Sequence, residues 1–339
     1  MAGEIRHSGS RFQFHCSART LDIGRERFTL STQVSILVIS YNTREDTLAC
    51  LRSVFDQTDN ADFELIVLDN QSTDGSADAI ESEFGDRVHL IRSEENLGFA
   101  RGNNEAARVA TGDYLLLLNP DTVILDHAID RIISFAGHRP GARIWGGRTV
   151  HEDGSLNPTS SWHRMTLWNL FMQDLGLTRL FRGSSLFNQE GIGGWDRSTE
   201  REVDIVTGCF LLIRRRFWEE LGGFDSDYFM YGEEADLCLR ARKLGARPRV
   251  TPEATIIHHG GRSEKIRADK FVRLFKSKVM LIRKHFSPIS RGIGKALFVL
   301  YPFNRWLQHA VLCGLGRKDS REQARNWREV WQRRNEWAR

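Results

Sequence analysis

The sequence predicts an α/β protein: a Rossmann-like, mostly parallel sheet with helices on both faces, followed by basic amphipathic helices. Three observations lead there. From residue 34 to 138, short apolar runs alternate with segments of helical periodicity. The runs are apolar throughout rather than at every second position, as in strands covered on both faces. The C-terminal quarter of the 339 residues concentrates positive charge beside an apolar stripe.

The elements follow in order. Residues 1–33 are polar and mixed, with weak strand character at Arg27 to Leu30, and read as an extension. "VSILVIS" (34–40) is the first strand. "TREDTLACLRSVFDQ" (43–57) places Leu48, Leu51, Val54 and Phe55 at helical spacing, with Thr43 as N-cap and Asp46 three residues on. "FELIVL" (63–68), "VHLIR" (88–92) and "DYLLLL" (113–118) are further strands. "GSADAIESEF" (75–84), "ARGNNEAARVA" (100–110) and "DHAIDRIISFAGH" (126–138) are the helices that follow them. This alternation predicts parallel β-α-β units with right-handed crossovers.

Composition excludes several classes. A net charge of +4 over this length gives no overall nucleic-acid footprint. The five cysteines are scattered and form no C-x-x-C pair, which points to a reduced, cytoplasmic setting. The sequence "MAGEIRHSGSRFQFHC" has no apolar stretch of a signal peptide, and no run of about 18 apolar residues exists to span a bilayer. The first strand-to-helix turn, "SYNTRED", lacks glycine, so neither G-x-G-x-x-G nor a P-loop is present. A divalent cation held by carboxylate is the remaining route to a diphosphate. In open parallel sheets ligands sit beyond the carboxyl ends of the strands. Three of those ends are polar here: Tyr41 and Asn42, Asp69 and Asn70, and Asn119 and Asp121 in "LLLLNPDT" (115–122).

At this point the chain resembles a family. "VSILVISYNTRED", "LIVLDNQSTDGS", "ENLGFARGNNEA", "LLLLNPDT", "DIVTGCFLLIRRRFWEELGGFDSDYFMYGEEADLCLRARKLG" (204–245) and "IIHHGGRS" (256–263) follow one another as in family 2 glycosyltransferases of the GT-A fold, nearest to bacterial rhamnosyltransferase-like members. The resemblance covers residues 34 to 263, with a nucleotide-binding half (34–138) and an acceptor and catalytic half (139–263). It implies that Asp69 recognises the nucleotide base and that Tyr41, Asn42 and Asn70 flank the donor. It places Gly98, Arg101 and Asn104 near the base and phosphates. Asn119 and Asp121 match the D-x-D element, with Asn119 replacing its first acid and Asp121 a ligand of Mg²⁺ or Mn²⁺. His258 matches a second metal ligand; His259 would point the other way in an extended segment.

The resemblance also implies the base. Inverting sugar transfer is a single displacement in which a carboxylate accepts the acceptor hydroxyl's proton. The family's Glu-Asp pair reads Glu233-Glu234 here, so the role falls on Glu234, with Glu233 in reserve and Asp236 orienting the site. Read on their own, acids at this helix start also complement the helix dipole. A glutamate ionises at neutral pH without any shift. Trp162, Trp168 and Trp195 in the variable middle are candidates for stacking on sugar.

The remaining region, 264–339, reads as helical and basic. From Arg262 to Arg291 ten basic residues face two acids, and Phe271, Leu274, Phe275, Val279, Ile282 and Phe286 form a stripe at helical spacing. Such a pattern suits either an anionic membrane surface or packing on the catalytic domain. A second apolar segment (294–316) is broken by Pro302, and Trp327 and Trp331 lie among arginines as at a headgroup layer. The implied enzyme is an inverting, metal-dependent hexosyltransferase of polysaccharide biosynthesis in the cell envelope. It would move L-rhamnose from dTDP-L-rhamnose, or a sugar from a UDP-sugar, onto a surface glycan or lipid-linked acceptor. It would be cytoplasmic and peripheral on the inner membrane, with no nucleic-acid partner. A second reading, left open by Asn119 and the Glu-Glu pair, is a catalytically silent binding subunit of a polysaccharide assembly complex.

Overall fold

A computed structural model describes residues 32–260, 267–317 and 320–339. The expected strand at Arg27 to Leu30, the extension up to residue 31, and Arg262, Glu264 and Lys265 of the basic segment lie outside the described residues.

The chain runs β1 (Val34–Ser40), α1 (Arg44–Asp56), β2 (Phe63–Asp69), α2 (Ser76–Phe84), β3 (His89–Arg92), α3 (Gly98–Val109), β4 (Tyr114–Leu118), β5 (Thr122–Ile124) and α4 (Ala128–His138). It continues through β6 (Ile144–Val150), β7 (Leu156–Asn157), β8 (Ser161–Trp162), α5 (Leu167–Asp174), α6 (Leu177–Leu180), β9 (Arg201–Glu202), β10 (Ile205–Val206), β11 (Phe210–Arg214) and α7 (Arg215–Leu221). It ends with α8 (Glu233–Lys243), β12 (Arg249–His258), α9 (Arg267–His285), α10 (Pro288–Gly314), α11 (Ser320–Gln332) and α12 (Arg334–Trp337).

The main sheet has the order β3-β2-β1-β4-β11-β6-β12-β5. β3, β2, β1 and β4 are mutually parallel, as the β-α-β reading requires. Antiparallel pairing enters with β11, which lies between β4 and β6, and returns where β5 meets β12. Alternate residues of the apolar strands serve opposite faces. Ile36, Val38, Leu116 and Leu118 pack with α1, α2 and α4, whereas Leu37, Ile39, Leu115 and Leu117 pack with α3 and α8. Four successive leucines are therefore what a strand buried on both faces needs.

Three sequence expectations change. Thr43 precedes α1 but its side chain caps nothing; the Arg44 amide instead donates to Asp74 Oδ2 at 3.0 Å, so a residue from the neighbouring loop does the work of the N-cap. Pro302 does not break the apolar segment, and α10 continues through it. The stripe on α9 faces protein: Val272, Phe275, Val279 and Ile282 are buried with Phe298, Trp327, Val330 and Trp337 in a third core. Trp327 belongs to that core, and the Trp331 ring lies 5.3 Å from Phe303. Packing wins over lipid for this stripe because α10, α11 and α12 cover it.

The sheet's centre constrains one glycine severely. A Cβ on Gly147 of β6 would sit 2.1 Å from the Ala254 carbonyl oxygen and 2.7 Å from the Phe210 ring, where nothing flexible can yield. Gly147→Ala should lower stability by about 1–3 kcal/mol through overpacking, read as a lower urea midpoint at unchanged m-value. An unchanged midpoint would mean that β6 and β12 can separate at no cost.

Candidate active site

Burial of "LLLL" carries the chain to the end of β4, and Pro120 takes it out of the sheet. It re-enters as β5 on the far edge, paired with β12 so that Thr122 lies opposite His258. That crossing sets Asp121 Oδ1 3.5 Å from His258 Nε2, and the His259 amide donates to the Asp121 carbonyl at 3.0 Å. Asn119 is held beside them, its amide donating to the Cys209 carbonyl at 3.1 Å. Burial opposes ionisation of Asp121, but hydrogen bonding and charge from His258 outweigh it and hold its pKa below the ordinary carboxylate value. Burial likewise disfavours the His258 imidazolium; Cys209 and Asp121 overcome it and push the pKa up to about 10.

The pair can be tested as a cation site. Adjacent ligands of one small divalent ion lie about 3 Å apart, close to the separation seen. Asn119 Oδ1 is buried without a hydrogen-bond partner among the described residues. One carboxylate, one amide oxygen and an imidazole that gives up its proton on binding suit Mg²⁺ or Mn²⁺ when substrate phosphates and water complete the shell. Among the described residues no group of three or more His, Cys, Asp and Glu side chains converges there, so the chain alone does not form a closed cage.

A cavity of about 1020 Å³ opens from this point and is lined by Tyr41, Asn70, Gly98, Asn119, Asp121 and His258, among others. Gly98 has φ +73°, and a Cβ there would lie 2.3 Å from the Phe229 carbonyl oxygen, so only glycine lets the start of α3 approach that wall. Asn70 lines the cavity but its amide is engaged: it donates to Asn96 and Gly98 and accepts from the Leu97 amide. Asp69 is buried just behind; one oxygen accepts from the Ser72 amide at 3.0 Å and the other has no hydrogen-bond partner among the described residues.

Three residues expected at the donor are turned to other tasks and do not line the cavity. Asn42, at φ 52°, accepts from the Thr73 amide and ties two loops together. Arg101 is exposed and pairs with Glu95 at 2.9 Å. Asn104 clasps the Phe224 backbone through both ends of its amide, at 2.8 and 2.9 Å. Each side chain is polar because a loop needs a partner there.

The leading acids of α8 line the same cavity. Gly232, at φ 85°, turns the chain so that Glu233 and Glu234 begin the helix and both line the cavity. Gly208 lies between Glu234 and the Asn119–Asp121 loop: a Cβ on it would lie 3.9 Å from the Glu234 Cβ, and its neighbour Cys209 holds Asn119. Each glutamate has one buried oxygen, Oε2, without a hydrogen-bond partner among the described residues. Burial, then the charge of Glu234, raises the Glu233 pKa well above the usual value; burial raises that of Glu234. The expectation of unshifted glutamates is thereby corrected, since burial disfavours the charged form of both carboxylates.

Asp236 faces away from the reaction space. Its carboxylate accepts from Arg240 Nε at 2.6 Å and from His285 Nε2 at 2.7 Å, fixing α8 to α9. Burial raises its pKa, and the bonds to His285 and Arg240 more than reverse that. Of the three tryptophans, only Trp162 lines the cavity; Trp168 is exposed and Trp195 is buried under Arg197 and Arg201.

The sequence reading missed the cavity's other wall. Lys270, Arg273 and Lys278 of α9 line it, with Arg164 and Arg242. Lys278 also pairs with Glu190 at 3.2 Å. The signal was the basic concentration after residue 262, whose charge faces the cavity as well as solvent.

Comparison with known proteins was made on this basis. The family model described as glycosyl transferase family 2 matches residues 35–222. The N-acetylglucosaminyl-diphospho-decaprenol L-rhamnosyltransferase of Mycobacterium tuberculosis is 28% identical over 211 residues, spanning 59% of this chain and 67% of the relative. The rhamnosyltransferase WbbL of Escherichia coli is 29% identical over 175 residues, 48% of this chain and 61% of its own. In fold, the mannosyltransferase PcManGT from Pyrobaculum calidifontis, solved with GDP-Man and Mn²⁺, superposes with a TM-score of 0.56 at 18% identity, over 91% of this chain and 88% of that one.

The raised Glu233 pKa has a consequence for stability. An unfolded glutamate releases its proton near pH 4.3, whereas folded Glu233 keeps it to higher pH. Through that window the folded state binds more protons, so stability falls as pH rises. Glu233→Gln cannot ionise and should lose this decline. Its urea midpoint relative to wild type should therefore increase between about pH 5 and about pH 8. A difference that does not change with pH would place Glu233 ionised in the fold.

Proposed function

The chain belongs to glycosyl transferase family 2 and is a glycosyltransferase; from that premise we propose an inverting, metal-dependent enzyme that moves a sugar from a nucleoside diphosphate to a hydroxyl of a bacterial surface glycan. The donor is dTDP-L-rhamnose, with UDP-sugars next, a reading supported by the relatives named as rhamnosyltransferases. The acceptor is a growing glycan carried on lipid, used at the cytoplasmic face of the inner membrane. No helix among the described residues is long and apolar enough to cross a membrane.

One observation supports the mechanism: the Asp121–His258 pair and Glu234 line one cavity and are linked through Gly208, Cys209 and Asn119. Asp121 and His258, with Asn119 Oδ1 beside them, would hold the cation. When bound, the cation neutralises charge developing on the departing diphosphate. Asp69 recognises the base with its unpaired oxygen, and Tyr41 and Gly98 shape the donor's side. Glu234 accepts the acceptor hydroxyl's proton. Its raised pKa brings the carboxylate closer to neutrality, where a base is most effective.

Two variants test this. Glu234→Gln should reduce turnover about 10²- to 10⁴-fold while donor affinity barely changes, because the lost interaction acts only on the acceptor in the transition state. A collapse of Glu233→Gln alone would move the base by one residue. Asp121→Asn should abolish Mn²⁺-dependent donor binding in calorimetry while circular dichroism stays native; unchanged donor affinity would sink the metal assignment. If wild type neither hydrolyses nor transfers from any nucleotide sugar, with or without Mn²⁺, the silent-subunit reading replaces this one.

A further inference from the structure

With the stripe of α9 inside the protein, a different apolar face is left in solvent. On α10, Ile289, Ile293, Leu300, Leu307 and Val311 are all exposed, Ile289 at 83%. At 100° per residue these positions fall within a narrow sector, forming one line about 33 Å long on a helix rising 1.5 Å per residue. The opposite side of the same helix puts Phe298 into the third core, so the exposed line is a second apolar face.

A neighbour extends it. α5 packs along α10: a Cβ on Gly294 would meet Leu167 at 3.4 Å, Asn304 bonds Asp174 at 2.9 Å, and Gly176 lies against Gln308. From this segment Trp168, Phe171 and Leu175 are exposed, followed by Leu180 and Phe181 on and after α6. Singly exposed apolar residues are ordinary. Ten on two packed segments make a patch of the kind that marks an interaction site.

Charge identifies the occupant. Residues 286–317 contain no acid; Arg291, Lys295 and Arg305 lie on the Phe298 side of α10, away from the exposed line, and Arg317 follows its end. Residues 164–187 contain Arg164, Arg179 and Arg182 and a single acid, Asp174, which is buried on Asn304. Apolar residues with cations and no exposed acid match an anionic lipid surface. The face is also continuous with the cavity. Met165, just before α5, and Phe286, just before α10, both line the cavity, and Gly294 packs within 2.9 Å of the Phe286 ring by its would-be Cβ.

We propose that the exposed face of α5, α6 and α10 seats on an anionic lipid bilayer, with the helices lying in the interface and the cavity wall at Met165 and Phe286 next to the membrane. The surface is independent of the transfer chemistry, so it is tested without measuring transfer.

The full chain should float with vesicles of phosphatidylcholine and phosphatidylglycerol, and less with phosphatidylcholine alone. The double variant Ile293→Asp/Leu307→Asp should lose at least about tenfold in partition, as removal of two large apolar contacts predicts. Lys276→Glu, on the exposed side of α9, should retain most of the binding. Thermal melting checks that the variants fold. Should the double variant misfold, brominated lipid provides a second readout: it should quench wild-type fluorescence more than that of Trp168→Phe. The proposal falls if wild type ignores both vesicle types, if the double variant binds as wild type, or if quenching is the same with and without Trp168. It also falls if light scattering shows a wild-type dimer that the double variant dissolves without any vesicle binding, which would make the face an interface between copies.

Discussion

The site depends on one backbone crossing. β4 ends in the middle of the sheet, and three residues later the chain is paired on the far edge as β5. The edge is folded back toward the start of the chain, with the Ile124 amide donating to Ser53 Oγ of α1 at 3.0 Å. Asn119, Pro120 and Asp121 therefore bridge two parts of one curled sheet, and Asp121 comes beside His258 although they are far apart in sequence. The buried leucines anchor one end of the bridge and the β5–β12 ladder anchors the other. Proline suits the exit because it cannot continue a ladder. Cys50 of α1 sits beneath, its sulfur 3.5 Å from the Asn119 carbonyl, so the bridge rests on core rather than on water.

The second constraint is what keeps α8 aimed at that bridge. Its two leading glutamates each hold a buried oxygen with no hydrogen-bond partner among the described residues, an arrangement that costs stability. Structure elsewhere offsets that cost. Asp236 ties α8 to His285 of α9, Ser277 of α9 donates to the Met230 carbonyl at 3.1 Å, and Lys284 pairs with Asp225 and Asp227. The C-terminal helices are thus a structural support of α8 and one wall of the cavity it lines. Losing a partner of the buried Asp236 network would cost about 3–5 kcal/mol on the usual scale for such pairs.

The nucleotide-binding half was legible in the sequence because its strands are buried on both faces and its helices are amphipathic, which gives each element its own periodicity. β6 and β12 were not read as strands, because two glycines in the first and a proline and a bulge between Val250 and Thr255 in the second interrupt their patterns; β11 is an unbroken apolar run that was read only as part of a longer motif. The polar tips were legible as a group, and Asp121 with His258 came together as the motif order implied. Individual roles were less legible. Asn42, Arg101, Asn104 and Asp236 are polar at the right places in the chain, but each is turned to a loop, a surface acid or a helix contact. Sequence reports that a polar atom is needed and not which partner it meets.

The same limit explains the C-terminal helices. Periodicity on α9 shows that one face must leave water, and α10, α11 and α12 supply the cover. α10 is apolar on more than one side, which in a single sequence reads as an apolar segment broken by Pro302. In three dimensions it has two apolar faces needing two partners. One is the aromatic cluster of Phe275, Phe298, Tyr301 and Trp327. The other has no cover among the described residues, yet it runs from the rim of the cavity along a surface without exposed acids. A helix apolar on two sides, too short of apolar length to span and fixed to a folded domain on one of them, has its lowest free energy with the other at an interface.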